Sequence, residues 1–460
     1  MLASIIETFR NCFRIPELKS RILFTLMLLA ICRLIAVVPA PGLDSVALQE
    51  YFRNMGARTG GLLGMYGLFT GGAYEHCAIG TLGIMPYISA TIILQLLTAV
   101  IPALSKLARE EGGRVKLVQY GRYLTVLLCL GQGYFWAMLW EHAGEGQLFR
   151  GFQGNLVLYE NLFWYRIQTA IVLTTGTVLL MWLGEQISER GIGNGVSLVI
   201  TVGILARLPD AVVATKISFF PAGGAEATLN FGHAIILIVL LVGVVAGVIA
   251  VTQAQRKIPI QYAQRAVGRR VFAGGTSFLP LRVNYPGVMP IIFAQAILMV
   301  PGQIFQSLYS RFKLDVFREL TALFAEHGFF YLTVYALLII FFSYFWVATV
   351  FNELQIADDL KKSGGYIPGV RPGQATSAYL HNAMHRITLA GGVFLTIIAI
   401  IPTLLYNLMK VPYDIGQFFG GTSLLITVGV LLDTMRQVES HLLMRHYDGF
   451  LKKGRIRGRF

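Results

Sequence analysis

Residues Gly83–Leu97 read GIMPYISATIILQLL, and the run from Ile79 to Ala103 around them holds no Asp, Glu, Lys or Arg. Its apolar residues do not alternate with polar ones, so it is not a half-buried strand. A hydrocarbon core near 30 Å takes about 20 residues of helix. In lipid, such a run pairs its own amide groups only as a helix or in a closed barrel, and the lack of alternation excludes the barrel. Pro86, Ser89, Thr91 and Gln95 lie inside the run. A helix surrounded by lipid has no use for them, which places it inside a bundle, either packed closely through small residues or lining a passage.

The rest of the chain repeats the pattern. Of 460 residues 55% are hydrophobic and 13% charged, with a mean hydropathy of +0.62, against about 25% charged in an ordinary soluble protein. An all-α membrane protein follows. Ten apolar windows occur, from Ile22 to Val38, Ile79 to Ala103, Leu117 to Trp140, Phe163 to Leu183, Val196 to Ala214, Ala234 to Val251, Val288 to Phe305, Phe329 to Phe351, Ile387 to Leu408 and Phe418 to Leu432. Cys12, Cys32, Cys77 and Cys129 form no CxxC pair, so they are read as packing residues rather than a disulfide framework or zinc ribbon.

Ten spans put the intervening segments alternately on two sides. One side, with both termini, collects 27 of the 38 Lys and Arg and 12 of the 24 Asp and Glu. The basic side is cytoplasmic by the positive-inside rule. The loops 253–284 and 352–386 on that side are longer than orientation requires. Residues 1–21 are not a cleavable signal peptide, because Arg10, Arg14, Lys19 and Arg21 interrupt them. Leu2, Ile5, Ile6, Phe9 and Phe13 share one helical face, as in an amphipathic helix on the cytoplasmic surface.

Ionisable residues at mid-membrane depth mark transporters and intramembrane enzymes, and the windows hold almost none. Arg33 is in the outer half of the first and is expected to snorkel outward; Asp433 and Arg436 lie at the cytoplasmic end of the last. His381 and His385 have zincin spacing, but Asn382 stands where a general-base Glu would and no third ligand follows. No metal or other cofactor is expected. Gly191-Ile-Gly-Asn-Gly195 follows no strand and lacks the dinucleotide-loop spacing, so it is read as a helix-entry turn. No GxxxxGK[ST] phosphate loop occurs. The fifth window, with Arg207, Pro209 and Asp210 near its outer end, and the tenth, beginning GGTSLLITVG (Gly420 to Gly429), are read as interior helices. The external loop before the second window contains LLGMYGLF (Leu62 to Phe69) between Gly60-Gly61 and Gly71-Gly72. Too short to span, it is expected to tuck into protein with the glycines as hinges.

In GIMPYISA (83–90), MWLGEQISERGIGNG (181–195), YAQRAVGRRV (262–271) with LPLRVN (279–284), ADDLKKSGGYIPGVRPG (357–373) and GGTSLLI (420–426), the chain closely resembles the SecY/Sec61-alpha family of protein-conducting channel subunits. The match runs over nearly the whole length. The resemblance implies ten helices in two inverted five-helix halves, 22–225 and 226–436, around a central hourglass pore that opens sideways between helices two and seven; 437–460 form a basic cytoplasmic tail. It places Ile84, Ile88, Ile200, Ile292 and Ile426 in a pore ring, where apolar side chains dewet a constriction without holding a passing chain. It makes about 60–75 the plug, with Leu62, Leu63, Met65, Tyr66, Leu68 and Phe69. Ile92, Gln95 and Gln295 fall at the lateral gate, where packing of polar groups is an equal reading of the two glutamines. Arg265, Arg269, Arg270 and Arg371 are implied docking residues, with positive-inside charge the plainer alternative; Gln264 stands where the family often has Lys.

The implied function is a passive, non-enzymatic channel in the bacterial plasma membrane. It conducts unfolded precursors with signal sequences outward, or sideways into lipid. Implied partners are SecE, SecG, the SecA motor, the translating ribosome with its RNA, YidC and SecDF, and anionic lipids at the tail. The first rival is an inverted-repeat secondary transporter of small solutes, which predicts mid-membrane charges or broken helices around a substrate site. The second is an intramembrane hydrolase, which needs a nucleophile and base at facing depths.

Overall fold

The structure, a computed structural model, describes residues 15–453 apart from 56–65, 68, 111, 144–151, 153, 221–228, 263–264, 268–269, 273–274, 286, 325–327, 410, 412–414, 417 and 419–420. The expected surface helix at residues 2–13 therefore lies outside the described residues. The chain divides into two compact units. One is Met1–Thr228 with Ser310–Lys313 and Ile426–Phe460; the other is Leu229–Tyr309 with Leu314–Leu425.

The first unit begins with α1 (Pro16–Ile35), which starts on a proline whose missing amide costs nothing at that position. A short helix α2 (Ser45–Met55) follows, where sequence reading saw only a loop. Asp44 starts it by accepting from the amides of Val46 and Ala47, each at 3.1 Å. α3 (Met85–Val100) and α4 (Pro102–Arg109) are separated by extended Ile101 and bent by 105°. The charge-free run is thus helical over a shorter stretch than expected. Ile79 and Gly80 instead donate to the carbonyls of Val38 and Ile35, Gly83 takes φ +58°, and Pro102 ends the regular hydrogen bonding.

Two long helices, α5 (Gly113–Glu141) and α6 (Leu162–Arg190), pack side by side. They approach so closely that a Cβ on Gly133 would lie 3.1 Å from the Ala170 backbone. A bidentate ion pair joins them near each end, Arg122 with Glu185 and Arg166 with Glu141. Gly191–Gly195 is the turn that enters α7 (Gly195–Ala206). Asn194 caps the helix by accepting from the Ser197 amide at 3.3 Å. Gly193 donates to Gln437 of α15 (Thr422–Lys453) at 2.8 Å, and Thr25 of α1 accepts from Ile192. Leu18, Ile192 and Val438 pack beneath these bonds. α8 (Leu208–Phe219) continues α7 after a break at Arg207, where Pro209 withholds an amide.

The second unit opens with α9 (Phe231–Gln253), a very apolar helix with much of its surface bare. The basic loop after it carries strands β1 (Gln255–Tyr262), β2 (Arg265–Val267), β3 (Arg270–Phe272) and β4 (Thr276–Arg282), which the sequence reading did not foresee. β1 and β4 pair antiparallel with Ile258 opposite Leu279, and β2 pairs with β3. Then come α10 (Met289–Phe312), with Pro301 inside it, the short α11 (Asp315–Leu323), α12 (Phe329–Val350), α13 (Glu353–Ser363), β5 (Gly365–Tyr366) and α14 (Gln374–Met409).

Among the described residues, six helical stretches can cross a membrane by length and composition: α5, α6, α7 with α8, α9, α12 with α13, and α14. Counting the bent α3–α4 as one span makes seven. The other three windows overlap α1, α10 and α15, of which α1 carries Glu17, Lys19, Arg21 and Arg33, α15 carries Asp433 and Arg436, and the apolar part of α10 is only Met289–Gly302.

Candidate functional site

At one end of the first unit the segment after α2 is held by two arginines. Arg33, in the last turn of α1, points both terminal nitrogens at the Gly71 carbonyl, each at 3.3 Å. This carbonyl gives the half-buried guanidinium a partner within the protein. Arg207, at the α7–α8 break, donates to Glu75 at 2.6 Å, and its guanidinium stands 5.8 Å from the Tyr74 ring centre. Both partners of the pair are about four-fifths shielded, with 19% and 21% of the side chains exposed.

Glycines make room for these groups. A Cβ on Gly71 would fall 2.3 Å from Arg33 and 2.9 Å from the Gly203 Cα, and one on Gly67 would fall 2.6 Å from Arg207. Of the six expected plug residues, Leu62, Leu63, Met65 and Leu68 lie outside the described residues; Tyr66 and Phe69 are buried. The Tyr66 ring packs on Trp136 of α5 at 5.0 Å and on Tyr74 at 6.2 Å. Thr70 donates to the Tyr66 carbonyl, and the Gly72 amide to that of Gly67. Behind them the short 3₁₀ turn Ala73–His76 sets Ala73 and Ala78 against Ala36 of α1. Burial pushes the Cys77 thiol up to about 12 and raises the Tyr74 phenol as well, so both are neutral at physiological pH.

The five isoleucines are on four helices. Ile84 caps α3 and Ile88 sits in its first turn, Ile200 is in α7, Ile292 is in α10 and Ile426 is in α15. All are buried. Ile92 is buried and Gln95 half-buried further along α3. Gln295 is buried in α10 and donates to the Thr422 hydroxyl at 3.1 Å, while its carbonyl oxygen meets no hydrogen-bond partner.

The two basic loops of the second unit are one platform. β5, in the second loop, pairs with β1 of the first, with Gln261 opposite Tyr366, and the Tyr366 hydroxyl meets Gln261 at 3.1 Å. Beneath them Ile258, Leu281, Ile367, Leu380 and Met384 form a small core with Val347 and Phe351 of α12. Arg371 is exposed at the tip, and the Thr376 hydroxyl donates to its carbonyl. Gly364, Gly369 and Gly373 take positive φ around it, so the tip is a defined turn rather than a loose chain. Arg265 and Arg270 lie on β2 and β3; Arg269 and Gln264 fall outside the described residues. His381 meets Glu353 at 3.0 Å, and the His385 ring lies against Tyr344, centres 4.7 Å apart and tilted by 42°.

Sequence reading missed the Arg207–Glu75 pair, whose members are 132 residues apart, and the β platform. A signal for each was present: an arginine flanked by Leu208-Pro209 inside an apolar window, and the alternation in QRKIPIQY (255–262).

The fold and site define a multi-pass helical membrane protein whose polar groups hold segments in place. Among the described residues no three His, Cys, Asp or Glu gather as a metal set. Residues 78–435 match the SecY family model. The protein translocase subunit SecY of Thermotoga maritima is 41% identical over 456 residues, 98% of this chain and 99% of that one. A solved protein-conducting channel superposes with a TM-score of 0.54 at 18% identity, covering 92% of each chain. Sec61 in the canine ribosome–channel complex from the endoplasmic reticulum gives 0.52 at 18% identity, again over 92% of each. The chain belongs to the SecY family. It is a protein-conducting translocase channel subunit, not an enzyme, and the small-solute transporter reading is set aside.

Proposed function

We propose that this chain forms the pore through which unfolded secretory polypeptides leave the cytoplasm of a bacterium, and from which membrane segments pass sideways into lipid. The support is that the five positions assigned to the ring by resemblance are all isoleucine, on four separate helices, and all buried. An apolar constriction excludes water and ions yet offers a passing peptide no hydrogen bond. Ile92, Gln95 and Gln295 then belong to the lateral gate. There a segment exchanges water for lipid with a few tenths of a kcal/mol gained per Leu or Phe.

In this reading the chain has ten spans, sits in the plasma membrane and keeps both termini in the cytoplasm. SecE embraces the two halves and SecG lies peripherally. SecA or the ribosome docks on the β1–β4 platform through Arg265, Arg269, Arg270 and Arg371, where arginine suits both RNA phosphates and carboxylates. The energy comes from those partners. YidC and SecDF are further partners, and the basic tail meets anionic lipid.

Single cysteines at Ile88, Ile200 and Ile292, in a cysteine-free background, test the path. A stalled precursor carrying one cysteine is expected to crosslink to all three, with no product when the precursor is omitted. No crosslinks in a sample that still binds SecA would overturn the pore assignment.

A further inference from the structure

We infer that Arg207 and Glu75, together with Arg33 on the Gly71 carbonyl, are a latch that positions segment 66–76 in the closed channel and sets how readily it leaves. The inference rests on the reading that this segment plugs the channel.

The bonds run between parts that must separate. Arg33 belongs to α1 and Arg207 to the α7–α8 break, whereas Gly71 and Glu75 belong to the segment itself. The segment's sequence is cut to fit the arginines: Gly67 and Gly72 border the Arg207 guanidinium, and Gly71 borders Arg33 and Gly203. Side chains at those positions would drive the segment off its seat. Tyr66 and Tyr74 against Trp136 supply an undirected apolar hold; the arginines supply the directional one.

The latch is also releasable. A partly shielded ion pair is strong while its surroundings stay dry. When the segment departs, Arg207 and Glu75 both meet water, so neither is left as a buried unpaired charge. Left-handed backbone at Gly71, Gly72 and Cys77 brackets the portion that carries Glu75, giving the segment turning points on either side of the pair.

The test uses the complete channel complex reconstituted in bilayers. Glu75→Gln and Arg207→Gln, each close in shape to the original, are expected to raise the precursor-free ion conductance about tenfold, as loss of one charge-assisted hydrogen bond would. The double variant is expected to match the singles, because all three break the same bond. With conductance normalised to the bath conductivity, higher salt is expected to raise the wild-type open fraction by screening the pair and to leave that of the variants unchanged. With Cys77 as the single cysteine, maleimide labelling at neutral pH is expected to rise in parallel with the leak. Its side chain is fully buried next to the latched segment, and Cys129 of α5, equally buried, is expected to stay unlabelled when it is the single cysteine, which a loss of global stability would not allow.

A separate arm tests the plug reading. A Cβ on Gly83 would lie 3.7 Å from the Thr70 Cβ, within disulfide reach, so oxidised Thr70→Cys/Gly83→Cys in the cysteine-free background tethers the segment. Block of translocation that a reductant reverses supports the plug. Translocation unaffected by the tether overturns the plug and the latch together. A reversible block combined with unchanged leak in Glu75→Gln and Arg207→Gln overturns the latch alone.

Discussion

In the proposed ring, a polar group at Ile292 or Ile426 would decide whether water enters. An amide in place of a branched alkyl group gives a constriction hydrogen-bonding sites that hold water, and an apolar gap that had dewetted then fills. Ile292→Asn and Ile426→Asn are expected to raise precursor-free ion conductance and to let precursors with weak signal sequences through, read by single-channel recording and a translocation assay. Unchanged conductance in both would count against their place in the ring. Gly176 of α6 acts by absence, since a Cβ there would lie 2.2 Å from the Ile79 carbonyl oxygen. Gly176→Ala is expected to cost about 1–3 kcal/mol through overpacking, seen as a lower thermal midpoint in detergent. Arg207 is conspicuous in the sequence, but neither its partner nor the close neighbour of Gly176 can be assigned there, because each lies about a hundred residues away or more.

At the scale of elements, the α5–α6 pair carries a built-in comparison. Arg166 and Glu141 are joined through two hydrogen bonds of 2.8 and 2.9 Å, with side chains 28% and 11% exposed; Arg122 and Glu185, near the other end, are 44% and 16% exposed. Water and salt screen the second pair more, chiefly through its arginine. Glu141→Gln is expected to cost about 2 kcal/mol, as loss of a partly buried charged hydrogen bond does. Glu185→Gln should cost under about 1 kcal/mol and lose most of that in high salt. Equal shifts in thermal midpoint at low salt would contradict this ranking. These helices were legible almost to their ends, because twenty apolar residues in lipid have only one way to satisfy their amides. The β1–β4 strands were not, because eight residues outside the membrane are a weak signal and their pairing with β5 joins Gln261 to Tyr366 across 105 residues.

At the scale of the whole molecule, the proposed docking and sealing roles fall to different residues. Arg371 is exposed and its backbone is held by Thr376 and the flanking glycines, so Arg371→Glu is expected to weaken SecA and ribosome binding about tenfold or more by charge reversal. The thermal midpoint and the ion leak should stay as they were. Ile367, 3% exposed within the core beneath the strands, is expected to behave oppositely. Ile367→Asp buries an unpaired carboxylate, costs several kcal/mol, and opens both loops to protease cleavage. Binding lost equally in the two variants with equally changed protease patterns would mean that Arg371 acts through folding rather than docking.

The amino-acid sequence by itself determined the membrane class, the windows that became helices, the entry turn at Gly191–Gly195 and the family motifs. Each rests on local hydropathy or on a contiguous block of residues, and the environment of such a stretch is set by its own chemistry. Only the tertiary structure decided that Arg33 bonds the Gly71 carbonyl, that Arg207 meets Glu75 in a socket of glycines, and that two separate basic loops share one small core. Those depend on closing loops of dozens to more than a hundred residues. A partner brought close by closing such a loop leaves no periodicity in the chain for a reader to find.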